Sequence, residues 1–401
     1  MTLAELIHDW NPNSPSAAPR RPMLDDETLR DGLQSPSVRD PDVAAKRDLL
    51  HRLAALGIDA VDLGMPGAGS QSVAAVKALL VEIRDHRLPI QPNAAVRTHE
   101  TDLMQIAEIQ QKVGIPLEAG AFLGSSPIRM SVEGWDLDHL VGLARNAIAF
   151  CRRNNVPAMM VTEDTTRAHP DHLKAIYGAA LDEGARAICL SDTCGHATPD
   201  GVRSLVRFVR KEILQGRDIR LDWHGHNDRG LGVANAIAAF EEGADCLHGS
   251  ILGIGERCGN VPLDQLMMNL SLMGVWRGNL VDMPALAERV ADLCEFKIPN
   301  NYPVLGRDAF RTGTGVHAAA IVKALRHGDV AAADAVYSGV PAAWVGRRQE
   351  IEIGPVAGHS NVAYWLELNG YDPTQERIDR ILALAKKSHR LLTEAEITAA
   401  I

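Results

Sequence analysis

Residues 187–224 read AICLSDTCGHATPDGVRSLVRFVRKEILQGRDIRLDWH and hold one complete strand–helix–strand unit. Short β-type runs open and close this segment, at Ala187–Leu190 and Ile219–His224, and a helical pattern covers Val202–Leu214 between them. Strands that are connected through a helix pair in parallel. The segment therefore predicts a parallel sheet that is covered by helices.

The same alternation continues through most of the chain. The predicted strands are Met23–Thr28, Ala60–Leu63, Ile90–Val96, Glu118–Leu123, Ala158–Thr162, Ala187–Leu190, Ile219–His224 and Asp245–Gly249. The other helical patterns include Val43–Leu56, Ser72–Arg87, Leu137–Asn154, Leu173–Glu183, Gly232–Glu242 and Pro262–Met273. Eight such units in about 250 residues match the size of a (β/α)8 TIM barrel, which is an α/β fold. A doubly wound open sheet is disfavoured because no Gly-x-Gly-x-x-Gly follows the first strand.

This pattern divides the chain into three predicted regions. Residues 1–21 are rich in Pro, Ser and Asn and predict a flexible leader. Residues 22–279 predict a catalytic barrel, because polar residues gather where its strands end. Over residues 280–401 the alternation stops, and helical patterns joined by Pro- and Gly-rich loops predict a mostly helical C-terminal subdomain.

The composition excludes several functional classes. The 401 residues are 46% hydrophobic with a net charge of −10 and no block of Lys or Arg, so nucleic acid is not an expected partner. No apolar run reaches the roughly 18 residues that a membrane span needs, and the N-terminal sequence has no secretory pattern. The six cysteines include no Cys-x-x-Cys pair and predict reduced thiols in a cytoplasmic protein.

The segment Asp222–Asp228 (DWHGHND) carries the strongest chemical signal. Side chains alternate along a strand, so His224 and His226 point the same way, into the mouth of the predicted barrel. Two imidazoles held side by side there are ready ligands for a metal ion. Two polar residues that merely end a strand would explain a lone His-x-His pair equally well.

A carboxylate at another strand end favours the metal interpretation. Asp31 follows the first strand, and the first and seventh strands both flank the eighth in a barrel, so Asp31, His224 and His226 can converge. Such a set leaves open positions on Mg²⁺, Mn²⁺ or Zn²⁺ that the carboxylate and keto oxygens of a 2-oxo acid can fill. The ion would act as a Lewis acid on the carbonyl group.

Further polar residues at the strand ends are candidates with alternatives. Arg30 can stabilise a developing oxyanion, although a surface salt bridge is also open. Glu163 can orient that arginine or handle protons, or it can cap the next helix. Thr193 offers a hydroxyl to a carboxylate or only an N-cap, and Asn260, in the glycine-rich loop after the eighth strand, can offer an oxygen to the metal.

Taken together, these motifs resemble a family of metal-dependent, acyl-CoA-condensing barrels. The family includes 2-isopropylmalate, citramalate and homocitrate synthases, with 3-hydroxy-3-methylglutaryl-CoA lyase as a relative. The resemblance covers roughly residues 22–365. The matching segments are Asp26–Gln34 (DETLRDGLQ), Thr162–Arg167, Asp192–Gly195, His224–Asp228, Gly253–Asn260, Gly306–Phe310 and Thr314–His317.

The resemblance implies roles for individual residues. It implies Asp31, His224 and His226 as metal ligands with Asn260 nearby, a pair between Arg30 and Glu163, and Thr193 as the group that holds the 2-oxo acid carboxylate. A histidine and a tyrosine of the helical region would reach the active site of a neighbouring subunit, which implies a homodimer. The remaining residues that it assigns are Gln34, Asp62 and Val161 as substrate contacts, and His317 and Tyr337 as the histidine and tyrosine.

The resemblance further implies an acyltransferase that condenses acetyl-CoA with a 2-oxo acid bound at the metal. Asp31 favours isopropylmalate or citramalate synthesis over homocitrate synthesis, and the small branched Val161 leaves space that favours 2-oxoisovalerate over pyruvate. The chain departs from the family pattern at Leu33, Asp62 and Gly313. Citramalate, homocitrate or another alkylmalate therefore stays open as a product.

Two more distant functions are weighed against this one. A lyase of the hydroxymethylglutaryl-CoA type requires a reactive cysteine in a loop like Gly-Gly-Cys-Pro, whereas this loop reads Gly-Glu-Arg-Cys-Gly-Asn. A non-catalytic barrel would be expected to lack a metal ligand or the arginine. The chain also ends at Ile401 without room for a C-terminal regulatory domain, so we expect leucine feedback to be absent or weak.

Overall fold

The structure is a computed structural model that describes residues 6–8, 10–11 and 20–401. The predicted leader at residues 1–21 lies largely outside the described residues. The part that is described groups into two compact units. One unit runs from Arg20 to Asn279 and also contains Ala285–Lys297, and the other includes Leu280–Pro284 and Ile298–Ile401.

Eight parallel strands form a closed barrel in sequence order, which confirms the predicted fold. The strands are β1 (Met23–Asp26), β2 (Ala60–Asp62), β3 (Gln91–Arg97), β4 (Glu118–Gly124), β5 (Ala158–Glu163), β6 (Ala187–Asp192), β7 (Arg220–Gly225) and β8 (Cys246–Gly249). The barrel closes where β1 pairs with β8, with Asp25 opposite His248. The strands are buried on both faces because helices cover the sheet, so few aromatic residues are needed for the core.

Helices follow the strands of the barrel in turn. They are Val43–Leu56, Ser70–His86, Glu100–Val113, Pro127–Glu133, Leu137–Arg153, Pro170–Asp182, Pro199–Phe208, Gly232–Glu242 and Leu263–Leu272. A π-helical turn, Val209–Leu214, extends the helix that ends at Phe208, where the sequence predicted one continuous helix. Helices Glu100–Val113 and Pro127–Glu133 are additions that the sequence patterns did not single out.

Local sequence explains where these helices begin and end. Asp42 caps the first of them by accepting a hydrogen bond from the backbone N–H of Ala45, and Gly57 ends the same helix with a φ of 91°. Asp136 caps Leu137–Arg153 in the same way. The buried residues of that helix recur at helical spacing on one face, which packs on the barrel: Leu140, Ala144, Ala147, Ile148 and Cys151.

The second unit is mainly helical, in agreement with the predicted fold class. Its helices include Gly315–Arg326, Val330–Ala335, His359–Leu368, Gln375–Lys387 and Glu394–Ala399. Its largest core cluster includes Ile353, Val362, Leu366, Ile378 and Ile381. A two-residue parallel pairing of Arg311–Thr312 with Glu350–Ile351 is its only sheet among the described residues.

The helix Met283–Leu293 crosses the boundary that was predicted at residue 280. Residues 285–297 belong to the barrel unit rather than to the second unit. Arg289 Nε lies 2.9 Å from Asp48 Oδ2, and the backbone N–H of Arg39 donates to the carbonyl of Cys294. These contacts, with the buried Val290, attach the segment to the barrel. No helix in the described ranges has the length and apolar character that crossing a membrane requires.

Candidate active site

Inward-facing residues near the C-terminal ends of the strands enclose a cavity of about 270 Å³. Active sites of (β/α)8 barrels are built at this end of the strands. Most of the residues that the sequence analysis singled out line this cavity: Arg30, Asp31, Gln34, Asp62, Val161, Glu163, Thr193, His224 and His226.

The two histidines and the aspartate converge as the spacing predicts. The Nε2 atoms of His224 and His226 lie 3.4 Å apart, and Asp31 Oδ2 lies 3.6 Å from the first and 3.7 Å from the second. All three side chains are buried. Asp31 comes from the turn after β1, since the strand itself ends at Asp26. The turn carries the carboxylate towards the end of β7, where His224 stands.

The surroundings shift the pKa values of all three side chains in this cluster. Burial alone would favour the neutral acid, but Arg30 and His224 outweigh it and hold the pKa of Asp31 below its usual range. Burial, with the nearby charge of His224, lowers the pKa of His226 to about 4. An ionised Asp31 and a neutral His226 are the protonation states that a metal ion needs in its ligands. Burial lowers the pKa of His224, but Asp31 and Glu27 outweigh it and raise that pKa, so His224 would release a proton when an ion binds.

Asn260 completes the surroundings of the cluster. Its Nδ2 donates to Asp31 Oδ1 at 3.0 Å and to the carbonyl of Ile254 at 3.0 Å, while its Oδ1 is buried without a hydrogen-bond partner among the described residues. Gly255 allows this approach, because a Cβ there would collide with Asn260 Nδ2. Buried carboxylate, imidazole and unpartnered amide-oxygen atoms are ligand types of divalent ions, so the cluster fits a divalent metal site.

Arg30 forms different pairs from the one that was expected. Its guanidinium lies 2.5 Å from Glu27 Oε2, 2.9 Å from Asp31 Oδ2 and 2.9 Å from Asp62 Oδ2. The expected pair with Glu163 is not formed among the described residues, because these three carboxylates, from the β1 turn and from β2, already hold the guanidinium. Arg30 is therefore held in one orientation beside Asp31, His224 and His226.

Two carboxyl groups of the cavity have raised pKa values. Burial, together with the charge of Glu27, raises the pKa of Asp62 to about 7 although Arg30 opposes the shift. Burial also raises the pKa of Glu163, at the end of β5. A carboxyl group that can be protonated near neutral pH is suited to proton transfer.

Thr193 and Val161 line other parts of the cavity. The hydroxyl oxygen of Thr193 accepts a hydrogen bond from the backbone N–H of Asp164 at 2.8 Å, which leaves its own O–H free to donate to a ligand. Val161 lies on β5 among apolar neighbours that include Phe122 and Met159. This apolar wall lies on the opposite side of the cavity from the cation-binding cluster of Asp31, His224 and His226, because β3 to β5 lie across the barrel from β1, β7 and β8.

The sequence reasoning missed two buried residues beside the cluster. Glu27 lies 3.2 Å from His224 Nδ1 and 3.0 Å from His248 Nδ1. His248 Nε2 in turn lies 3.2 Å from Asp222 Oδ2. Strand alternation was the signal that could have found them, because Asp25 and Glu27 share the inward face of β1 and its continuation. Charged residues facing inward in buried strands need partners.

His317 and Tyr337 lie in the second unit and contact each other. Their rings stack with centroids 3.9 Å apart at an interplanar angle of 26°, and both side chains are exposed. The structure thus brings together the histidine and the tyrosine that were singled out at positions 20 residues apart in sequence.

Comparison with known proteins places this architecture in a family. The model of the HMGL-like family matches residues 21–290. The chain belongs to the HMGL-like family. This confirms the resemblance that the sequence motifs indicated.

The chain is also similar to named relatives and to a solved structure. The chain is 30% identical over 402 residues to 2-isopropylmalate synthase of Methanocaldococcus jannaschii, covering 96% of this chain and 71% of the relative. It is 28% identical over 388 residues to homocitrate synthase AksA of Methanothermobacter thermautotrophicus, covering 95% and 93%. A crystal structure of hydroxymethylglutaryl-CoA lyase from Pseudomonas aeruginosa covers 69% of this chain and 93% of its own, with a TM-score of 0.57 and 20% identity. That last likeness shows the fold alone.

Proposed function

We propose that this HMGL-like protein condenses acetyl-CoA with a 2-oxo acid, and that 2-oxoisovalerate is its preferred 2-oxo acid, giving 2-isopropylmalate for leucine biosynthesis. The observation that carries the proposal is one cavity with a cation-binding cluster on one side and an apolar wall on the other. The cluster suits the oxygens of a 2-oxo acid, and the wall suits its alkyl group.

Asp31, His224 and His226 would hold a divalent ion such as Mg²⁺, Mn²⁺ or Zn²⁺, with Asn260 beside them. When bound, the ion supplies Lewis-acid polarisation of the keto group of the substrate. Arg30 contributes a fixed positive charge next to that position, which stabilises the negative charge that develops on the keto oxygen.

The remaining polar groups orient the substrate and move protons. The free O–H of Thr193 donates to the carboxylate of the 2-oxo acid, and the amide of Gln34 supplies a second polar contact. A base removes a proton from the methyl group of acetyl-CoA, and the new C–C bond forms at the keto carbon. The keto oxygen takes up a proton, for which Glu163 with its raised pKa is a suitable donor. Water then cleaves the thioester and releases CoA.

The apolar wall supports an alkyl substituent on the 2-oxo acid. Among the described residues that line the cavity, every side chain that can carry a positive charge lies on or directly after β7, on β8 or in the turn after β1: Arg30, His224, His226 and His248. A second carboxylate, as in 2-oxoglutarate or oxaloacetate, would face Phe122, Met159 and Val161 without a cation. A branched alkyl group would instead replace water there favourably.

A second cavity of about 820 Å³ adjoins the first and shares Arg30, Gln34 and Met65 with it. It lies between the turn after β1 and the segment that follows β2. Its volume, and its contact with the first cavity through these shared residues, suit the extended arm of an acyl-CoA whose thioester reaches the reacting centre. We place acetyl-CoA in this second cavity.

His317 and Tyr337 are proposed to serve the active site of a partner subunit in a homodimer. A stacked, exposed imidazole–phenol pair is suited to exchanging protons with a ligand that is bound in the partner subunit. His317→Ala should lower kcat by about 10²-fold or more with little change in the KM of the 2-oxo acid. A His317→Ala variant with wild-type kcat and an unchanged KM would contradict a catalytic role for His317.

The decisive experiment measures CoA thiol release by the purified protein with acetyl-CoA, a divalent ion and one of four 2-oxo acids. We expect the highest kcat/KM with 2-oxoisovalerate, a lower value with pyruvate, and little reaction with 2-oxoglutarate or oxaloacetate. Mass spectrometry of the product should show 2-isopropylmalate. A preference for pyruvate or 2-oxoglutarate would replace the proposed substrate, and no thiol release with any of them would overturn the proposed reaction.

A further inference from the structure

A chain of buried charged groups lies directly behind the cation-binding cluster. It runs from His224 through Glu27 and His248 to Asp222, and Arg220 pairs with the last of these at 2.9 Å. Glu27, His248 and Asp222 are each no more than 3% exposed. The proposed reaction uses none of these three residues.

The two ring nitrogens of His224 face different partners. Its Nε2 faces Asp31 and His226, at 3.6 and 3.4 Å, while its Nδ1 lies 3.2 Å from Glu27 Oε1. A carboxylate can only accept, so when the ring is neutral Glu27 favours the tautomer with the proton on Nδ1. The lone pair is then left on Nε2, where an ion would bind.

Glu27 is itself held in place from two directions. Its Oε2 pairs with Arg30 at 2.5 Å, and its Oε1 accepts from His248 Nδ1 at 3.0 Å. The rings of His224 and His248 stand nearly perpendicular, at 85° with centroids 5.7 Å apart, so both can direct a nitrogen at the same carboxylate oxygen. The carboxylate therefore cannot turn away from His224 without losing two other partners.

We propose that Glu27 is a positioning residue that fixes the tautomer and the ring orientation of His224 for metal binding. His226 provides an internal contrast, because its Nδ1 is buried without a hydrogen-bond partner among the described residues. One ligand of the cluster is thus oriented by a carboxylate and the other is not. The inference rests on the proposed metal-dependent function, because it assigns a role toward the ion.

The test measures the affinity of the full-length protein for Zn²⁺ and Mn²⁺ by competition with a chromogenic chelator, without substrates. Glu27→Gln keeps an oxygen that can accept from His224 but removes the charge, and Glu27→Leu removes the acceptor. We expect affinity to fall in the order wild type, Gln variant, Leu variant, with a total loss of about 10- to 100-fold. The visible spectrum of the Co²⁺-loaded protein should change in the same order.

Asp26→Asn is the matched control. Asp26 is the neighbouring buried carboxylate, but among the described residues its side chain bonds only to Thr28, at 3.0 Å through the backbone N–H and 2.8 Å through the hydroxyl. Its loss should leave the metal affinity and the Co²⁺ spectrum unchanged. If Glu27→Leu does not fold, Glu27→Gln decides by itself.

Metal affinities of both Glu27 variants within about threefold of wild type would overturn the proposal, and so would an equal loss in Asp26→Asn. These outcomes are separate from a failure of the proposed reaction. A wild-type protein that binds metal through this cluster but releases no CoA would contradict the reaction and leave the role of Glu27 standing.

Discussion

The two halves of the barrel interior differ in the kind of side chain that they contain. The half formed by β1, β7 and β8 buries carboxylates, imidazoles and Arg30 in contact with one another. At the level of the cavity, the half formed by β3 to β5 presents mainly apolar side chains (Ala95, Phe122, Met159 and Val161), with the polar Asn93 and Glu163 at its borders. A barrel with apolar layers throughout would be the simpler core. One half is therefore suited to binding charged groups, and the other is suited to accommodating an apolar group of matching shape.

The difference shows what burying charge requires. On the charged half the inward-facing carboxylates Glu27, Asp31 and Asp222 each have a cationic partner. Asn93 from β3 also donates to Asp25, at 2.7 Å. Such groups must be paired, because an unpaired buried charge costs several kcal/mol. The apolar half has no such requirement, so its side chains can change with less effect on stability. We expect the mutational profile of the interior to follow this division.

The largest expected effect is on catalysis in the charged half. His224→Ala removes one of three ligands and should lower kcat by about 10³-fold or more, since Lewis-acid stabilisation contributes several kcal/mol. The measurement is CoA release at saturating metal ion. His139→Ala, an exposed histidine on the helix Leu137–Arg153, is the control and should retain wild-type turnover. A His224 variant with more than about a tenth of wild-type kcat would contradict this assignment.

The next effect is on stability. His248→Leu leaves Glu27 and Asp222 without the imidazolium between them. Burial lowers the pKa of His248, but Cys189, Asp25 and Asp222 outweigh it and hold that pKa well above its usual range. We expect a loss of about 3–5 kcal/mol in the free energy of unfolding, measured by urea denaturation. Met159→Leu in the apolar half should cost less than about 1.5 kcal/mol. Similar losses in the free energy of unfolding for both variants would contradict the proposed difference between the two halves.

A pH-dependent effect is expected at Asp26, whose neighbours include no cation in the described ion pairs. Burial raises its pKa to about 7, above the value of about 3.9 in an unfolded chain. The folded state therefore binds this proton more tightly, and the stability that it contributes is present below about pH 4 and lost as the pH rises through 7. Between pH 4 and pH 8, the free energy of unfolding of Asp26→Asn should rise by about 4 kcal/mol relative to that of the wild type. A parallel pH dependence of unfolding in both proteins would contradict it.

The smallest expected effect tests the apolar half. Val161→Phe fills the space that a branched alkyl group would occupy, so kcat/KM for 2-oxoisovalerate should fall by about 10- to 100-fold. The value for pyruvate, which has only a methyl group there, should fall much less. An equal loss for both substrates would show that Val161 does not border the alkyl group.

Much of the fold could be predicted because it depends on short-range pattern. The helices Val43–Leu56 and Gly232–Glu242 form with the predicted bounds, and all eight predicted strands are present. The proximity of His224 and His226 also followed from strand alternation alone. The partners of Arg30 could not be predicted in this way. Glu27, Asp31 and Asp62 compete for one guanidinium, and their relative positions depend on how the turn after β1 meets β2.

The sequence by itself determined the barrel and the residue types at its mouth, because periodicity of two and of 3.6 residues is a local property of the chain. Only the tertiary structure decided which charges meet. Closure of β1 on β8 places Asp25 opposite His248 and brings Glu27 between two imidazoles, although His224 and His248 follow Glu27 by 197 and 221 positions in sequence. Pairing over such a separation depends on the register of the closed sheet, which no local pattern encodes.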